Sequence, residues 1–158
     1  KSRLKERKGV EQMNVKLGQI LDSIESLKEL NNRGDIPIGV SFNLTLTSKA
    51  VESILATYEE KRKVLIGKYT TPITEKIARK DENGKDVLDA EGNVVMVDQE
   101  LAKFNDEDAN IAFVTELNSL LGEDVELSIK FIKISSFPAS FTISANKLMG
   151  LSWLLSEE

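Results

Sequence analysis

Residues 47–69 constrain the fold most. Val51, Ile54, Leu55, Tyr58, Leu65 and Tyr69 recur three, four or seven positions apart, the spacing that lines one face of an α-helix. Glu52, Glu59, Lys61 and Lys63 fall mostly off that face, and Glu59 precedes Lys63 by four residues, a supportive helical pair. A helix of this length needs cover for its apolar stripe. The chain offers a helix before it, a helix after it and an apolar strand near the C-terminus.

Upstream, Val15, Ile20, Leu21, Ile24, Leu27 and Leu30 predict an amphipathic helix over residues 13–32, with Gly34 placed as its stop. Residues 36–46 read as a strand. Ile36, Ile38, Val40, Phe42, Leu44 and Leu46 alternate with Pro37, Gly39, Ser41, Asn43 and Thr45, and Pro37 suits an edge strand. Thr47 or Ser48 is then the cap of the long helix.

Downstream, residues 74–98 carry two turn signals, Asn83-Gly84 as a two-residue hairpin loop and Glu91-Gly92-Asn93. They predict a projecting β-hairpin or small meander. The echo between residues 81–84 and 89–93 is too short to read as a structural repeat. A helix in one or two pieces follows over residues 99–121, with Leu101, Phe104, Ile111, Val114, Leu117 and Leu121 as its stripe. Its second piece starts near Asp106, Glu107 and Asp108, where acidic side chains favour the helix dipole. Val125, Leu127, Ile129 and Phe131 alternate along the best strand, 125–134, and the phase shifts to Ile132 and Ile134, which implies a bulge or burial on both faces. Ser144 is placed to cap a short last helix.

The resulting expectation is an α+β fold. It consists of a small two- to four-stranded sheet, pairing 36–46 with 125–134, packed by three or four amphipathic helices, with a projecting β-hairpin. Residues 1–12 read as a basic arm or as an extension upstream of a natural start at Met13. Residues 13–158 read as a single domain with 74–98 as a hairpin insertion.

The chain has no cysteine and no histidine. Thiolate nucleophiles, Cys-ligated metals and the usual general base near neutral pH are therefore excluded, whereas oxygen-ligated Mg²⁺ or Ca²⁺ is not. No apolar run approaches the roughly 18 residues of a membrane span, and residues 1–12 lack the apolar stretch of a secretory signal. Charge is uneven. Lys1, Arg3, Lys5, Arg7 and Lys8 against Glu6 and Glu11 give the arm a net +3, and the rest of the chain carries −8 of the total −5.

Each motif has a plainer reading beside it. Residues 89–100 have the length of a calcium loop, with Asp89, Glu91, Asn93 and Glu100 in ligand places, but Val94 stands where the glycine is required. Gly34 and Gly39 have phosphate-loop spacing, but Val40 stands in place of the lysine. Asp106, Glu107 and Asp108 are adjacent on a helix and do not converge on one ion. Trp153 reads either as core beside Leu148, Leu151 and Leu154 or as an interface anchor. The arm can meet phosphates electrostatically, but it lacks aromatics for base stacking. The acidic body repels nucleic acid, so docking of the arm on an acidic protein neighbour, including another copy, is at least as reasonable; the plainer reading is a tag-like or disordered tail.

The segment 36–42 (Ile-Pro-Ile-Gly-Val-Ser-Phe) running into a helix, then Tyr58-Glu59-Glu60-Lys61-Arg62-Lys63 with Leu65 and Tyr69, sets a pattern. So do the two glycine turns, Asp124-Val125-Glu126-Leu127 and the acidic end Leu154-Leu155-Ser156-Glu157-Glu158. Over residues 13–158 this order resembles a family of short, uncharacterised proteins encoded by tailed bacteriophages and prophages. The resemblance implies a phage origin, in the bacterial host cytoplasm or the virion, and supplies no catalytic residues. The expectation is a non-enzymatic phage accessory or virion-assembly protein without cofactor or metal. It would act on a protein partner (a phage structural protein, itself or a host enzyme) through Lys1, Arg3, Lys5, Arg7, Lys8 and Trp153. The alternative is a phage-encoded inhibitor of a host enzyme or defence protein that uses its acidic surface; a carboxylate enzyme with a divalent ion comes third.

Overall fold

The computed structural model describes residues 11–157. The fold is α+β. Its order is β1 (Glu11–Lys16), α1 (Leu17–Asp22), α2 (Ile24–Asn31), α3 (Ile38–Tyr69), β2 (Thr70–Ala78), β3 (Met96–Phe104), α4 (Glu107–Leu121), β4 (Asp124–Ile129), β5 (Ile132–Lys133), α5 (Ala145–Gly150) and β6 (Leu155–Ser156). The strands form three two-stranded sheets, β1 with β4, β2 with β3 and β5 with β6. The chain divides into two compact units. One holds everything up to Lys61 and from Asn118 onward, and the other is Arg62–Leu117. The expected hairpin segment 74–98 lies inside the second.

In the first unit, residues 11–16 are a strand, where the sequence predicts an arm and then a helix from Met13. Met13 and Val15 face inward, and Gln12, Asn14 and Lys16 face solvent. β4 alternates in the same way, with Val125, Leu127 and Ile129 inward. The antiparallel register sets Met13 opposite Leu127 and Val15 opposite Val125, and Lys16 meets its partner Asp124 at 2.7 Å. The partner of 125–129 is therefore β1, not residues 36–46. The predicted first helix breaks at Ser23, which is fully buried and donates its hydroxyl to the Ile20 carbonyl at 2.6 Å. A serine that bonds its own backbone in this way competes with helix continuation.

Residues 38–46 are helix, not strand. Pro37 opens α3, its carbonyl accepting the Ser41 N–H at 3.0 Å, a position where a proline's missing N–H costs nothing. Val40, Leu44, Thr47 and Val51 are buried while Ile38, Phe42 and Leu46 are exposed, a helical rather than an alternating pattern. Thr47 tolerates burial because its hydroxyl bonds the Asn43 carbonyl at 3.0 Å.

The core gathers Val15, Ile20, Leu27, Leu30, Leu44, Leu127, Ile129, Ile132, Leu151, Trp153 and Leu154. The phase change expected near Ile132 is present: β4 ends at Ile129, and β5 resumes at the buried Ile132 to pair in parallel with β6. Ser144 stands at the N-cap of α5, but its hydroxyl makes no capping bond; Lys147 of α5 pairs with Glu29 of α2. Among the described residues no helix is long and apolar enough to cross a membrane.

Candidate functional site

In the second unit, α3 runs straight into β2, and β2 pairs with β3 over nine residues per strand, from Thr70 opposite Phe104 to Ala78 opposite Met96. Residues 96–98 continue the expected hairpin, but 99–104 are strand too, where the sequence predicts the first piece of a helix; Leu101 and Phe104 fit either period. Asp106 does start the next helix, accepting the Ala109 N–H at 2.7 Å. At the base of the ribbon Phe104 meets Phe113 edge to face, with ring centroids 5.3 Å apart. Glu116 accepts bonds from Lys68 Nζ and the Tyr69 hydroxyl. The Lys68 bond, then the Tyr69 bond, holds the Glu116 carboxyl below its usual range, and Glu116 in turn raises Lys68.

The far end of the ribbon divides into two small arms. Three backbone bonds close a ring: Arg79 N–H to Val95 O (2.8 Å), Val95 N–H to Val87 O (2.8 Å) and Val87 N–H to Arg79 O (2.9 Å). One arm is bridged by Lys80 with Asp86, the other by Leu88 with Val94. Their turns are duplicates. Asp81 Oδ1 accepts the N–H groups of Asn83 (2.8 Å) and Lys85 (3.0 Å), and Asp89 Oδ1 accepts those of Glu91 (3.0 Å) and Asn93 (2.8 Å). The short sequence echo is a structural repeat after all, with a period of eight residues. Among the described residues only Gly84 and Gly92 have positive φ, 76° and 84°. A two-residue Asn-Gly loop requires positive φ at both central residues. The turn at 82–84 is instead a three-residue loop with a glycine bulge.

Among the described residues neither strand of the ribbon has a buried residue. All of β3 except Phe104 is exposed, and Ile77, Val97 and Leu101 are each more than a third exposed. Its two edges differ. Pro72 has no N–H, Arg79 N–H bonds Val95 O, and Asn105 N–H bonds Tyr69 O at 3.0 Å. Antiparallel alternation then puts the odd-numbered residues in hydrogen-bonded pairs (71 with 103 through 77 with 97) and turns the even-numbered backbone groups outward. On β2 the outward row is interrupted by Pro72 and carries Lys76, two devices that blunt an edge. On β3 the outward row of Met96, Asp98, Glu100 and Ala102 has no proline, and no described strand pairs with it. The arrangement offers main-chain donors and acceptors flanked by two carboxylates.

The first unit carries an apolar cleft of about 510 Å³ with Leu30, Phe137, Phe141, Leu148, Leu151 and Leu155 in its lining. Arg33 fixes one wall. It bonds Asp35 at 2.6 and 2.8 Å and the Thr142 carbonyl at 2.6 Å, and its guanidinium lies 4.2 Å from the centre of the Phe141 ring. The Arg33 bond holds the Asp35 carboxyl below its usual range. The lining holds the Thr142 hydroxyl and no titratable side chain, so the cleft can receive apolar groups but cannot itself move a proton.

Of the residues singled out by sequence, Lys1, Arg3, Lys5, Arg7 and Lys8 lie outside the described residues. Trp153 is only 7% exposed and sits in the core, with no partner for its buried Nε1 among the described residues; burial removes it from the surface an anchor needs. The Asp89 carboxylate is engaged by its own turn, and Glu100 is paired with Thr74 in the ribbon, so the calcium-loop spacing is a hairpin arm plus a strand. Among the described residues no group of His, Cys, Asp or Glu has the geometry to hold a metal ion. Sequence reasoning missed the β3 edge because residues 99–104 also satisfy a helical period.

Comparison with known proteins returns nothing: no family model, no curated protein and no solved structure matches this chain.

Proposed function

We propose that this chain is a non-enzymatic protein that acts through protein contacts, with the β2–β3 ribbon as its contact element, in the assembly or accessory machinery of a phage particle. The observation that carries the contact role is the free β3 edge. Nine residues of strand are kept in register by turn carboxylates and a backbone ring, yet their outer donors and acceptors have no described strand beside them. An isolated two-stranded ribbon is marginal in water, and an unblunted edge is a template for another strand. A partner segment that adds to this edge gains main-chain bonds for affinity and side-chain contacts for selectivity. The phage setting rests on the sequence resemblance.

The test is capture from phage-infected bacterial lysate, read by mass spectrometry, with the full chain and with a chain in which Ala102→Pro removes one outward N–H. The β2–β3 pairing does not use that N–H. The expected result is recovery of particle proteins by the first and a marked loss by the second. Equal recovery by both chains contradicts the ribbon as contact element. Recovery of a single basic host enzyme moves the reading to an inhibitor with an acidic contact surface.

A further inference from the structure

We propose that the outer edge of β3 pairs with the same edge of a second copy of this chain, joining two ribbons into one four-stranded antiparallel sheet. The inference rests on the reading of the ribbon as a contact element and names its occupant. The difference between the two edges carries it. Pro72 and Lys76 blunt the β2 edge. Joining two copies through β3 buries both open edges and leaves only the blunted ones outside, in the order β2–β3–β3–β2. A two-stranded ribbon is marginal in water, whereas three or more strands with an apolar face can be stable. Ile73 opposite Leu101 and Ile77 opposite Val97 give the ribbon such a face.

Charge then selects the register. The even-numbered residues of β3 turn their backbone groups outward, so even residues of one copy must bond even residues of the other. A two-fold arrangement centred on Asp98, Gln99 or Glu100 sets carboxylate directly against carboxylate, an unfavourable pair across strands. The longest register free of that clash is centred on Leu101 and engages residues 98–104 of each strand. It sets Asp98 opposite Phe104, Gln99 opposite Lys103 and Glu100 opposite Ala102 of the second copy. Leu101 meets Leu101 of the second copy, and with Ile73 on either side they form one apolar row across four strands. Asp98 keeps Lys76 beside it on β2. The two Glu100 side chains stay diagonal to each other, so association should tighten when their charge is screened or removed. The same surface serves both copies, so the contact closes as a two-fold dimer and does not propagate.

The chain has no cysteine, so one introduced thiol reports the register. Leu101→Cys sets two thiols directly opposite, in a pair whose Cα atoms lie about 4.5 Å apart, within disulfide reach. Gln99→Cys leaves its two thiols four positions out of register, roughly 14 Å apart. Under mild oxidation Leu101→Cys should become a covalent dimer about tenfold or more faster than Gln99→Cys, and an equimolar mixture of Gln99→Cys with Lys103→Cys should cross-link as a heterodimer. Sedimentation velocity of the wild type should show monomer and dimer and nothing larger. Added salt and Glu100→Gln should each shift it toward dimer, and Ala102→Pro should weaken the dimer about tenfold or more. Slow exchange of the odd-numbered β3 amides in Ala102→Pro checks that its ribbon is intact. A wild type that stays monomeric, Leu101→Cys chains that cross-link no faster than Gln99→Cys chains, or an intact Ala102→Pro chain that associates as well as the wild type overturns the inference. A monomeric wild type whose capture of particle proteins is lost with Ala102→Pro leaves the contact role standing and removes only this occupant.

Discussion

Asp81 and Asp89, eight residues apart, occupy equivalent places in two successive turns, each carboxylate accepting the N–H groups two and four residues ahead. Among the described residues the side-chain bonds of each turn stay within that turn, so each should fail independently. Asp81→Ala should speed amide exchange at Asn83 and Lys85 and leave Glu91 and Asn93 unchanged; Asp89→Ala should do the reverse. Residue-resolved hydrogen exchange reads both. The accepted bonds, first from Asn93, also hold the Asp89 carboxyl below its usual range, so its turn should stay protected well into acid and loosen only as that carboxyl protonates.

Glycines in the second unit should respond with opposite signs. Gly84 and Gly92 sit at positive φ, where a Cβ costs about 1–2 kcal/mol. Gly67 lies inside α3 with nothing within 4 Å of an added Cβ. Gly67→Ala should therefore stabilise by about 0.8–1 kcal/mol, whereas Gly84→Ala and Gly92→Ala should destabilise. Urea unfolding of the three variants decides the signs.

Residues 38–46 allow a direct check of helix against strand. Leu44 is fully buried and Phe42 is 63% exposed. Leu44→Ala should cost about 2–5 kcal/mol, and Phe42→Ala should cost about 0.5 kcal/mol or less. In a strand both residues lie on one side and both changes would cost alike.

The Glu116 cluster sets a pH window. Its folded carboxyl lies below the usual 4.5 and Lys68 lies above its usual 10.5. A depressed carboxyl contributes stability above its unfolded value and loses it as pH falls through the folded one. A raised amine contributes below its unfolded value and loses it as pH rises. The pair therefore contributes fully between those two usual values. Glu116→Gln should destabilise the wild type at neutral pH, and the difference should shrink toward pH 3; thermal melts at both pH values measure it.

Sequence patterns were legible where a periodicity was strong and local. Val51 through Tyr69 form helix, Val125 through Ile129 form strand, both glycine turns are present, and Asp106 and Ser144 stand at helix starts. Residues 36–46 misled because an alternating pattern also contains the four-residue step from Val40 to Leu44. The continuation of that stripe at Thr47 is polar, and its burial depends on a hydroxyl bond that composition does not reveal. Met13 and Val15 alternate too briefly to outweigh the helical residues after them. What makes them a strand is β4, more than a hundred positions later in the chain. The candidate site was half legible. The two turns stand in the sequence, whereas the open edge depends on the pairing that Pro72 and the odd-numbered residues set between β2 and β3.

The most direct test of the ribbon as a contact element is amide hydrogen exchange along β3, in the chain alone and saturated with the protein it captures or with itself. In the free chain Asp98, Glu100 and Ala102 should exchange fast and Val97, Gln99 and Leu101 slowly, because only the odd-numbered amides are bonded to β2. On association the even-numbered amides should become protected and the odd-numbered ones should stay so. Even-numbered amides that exchange equally fast in the bound state would contradict the account.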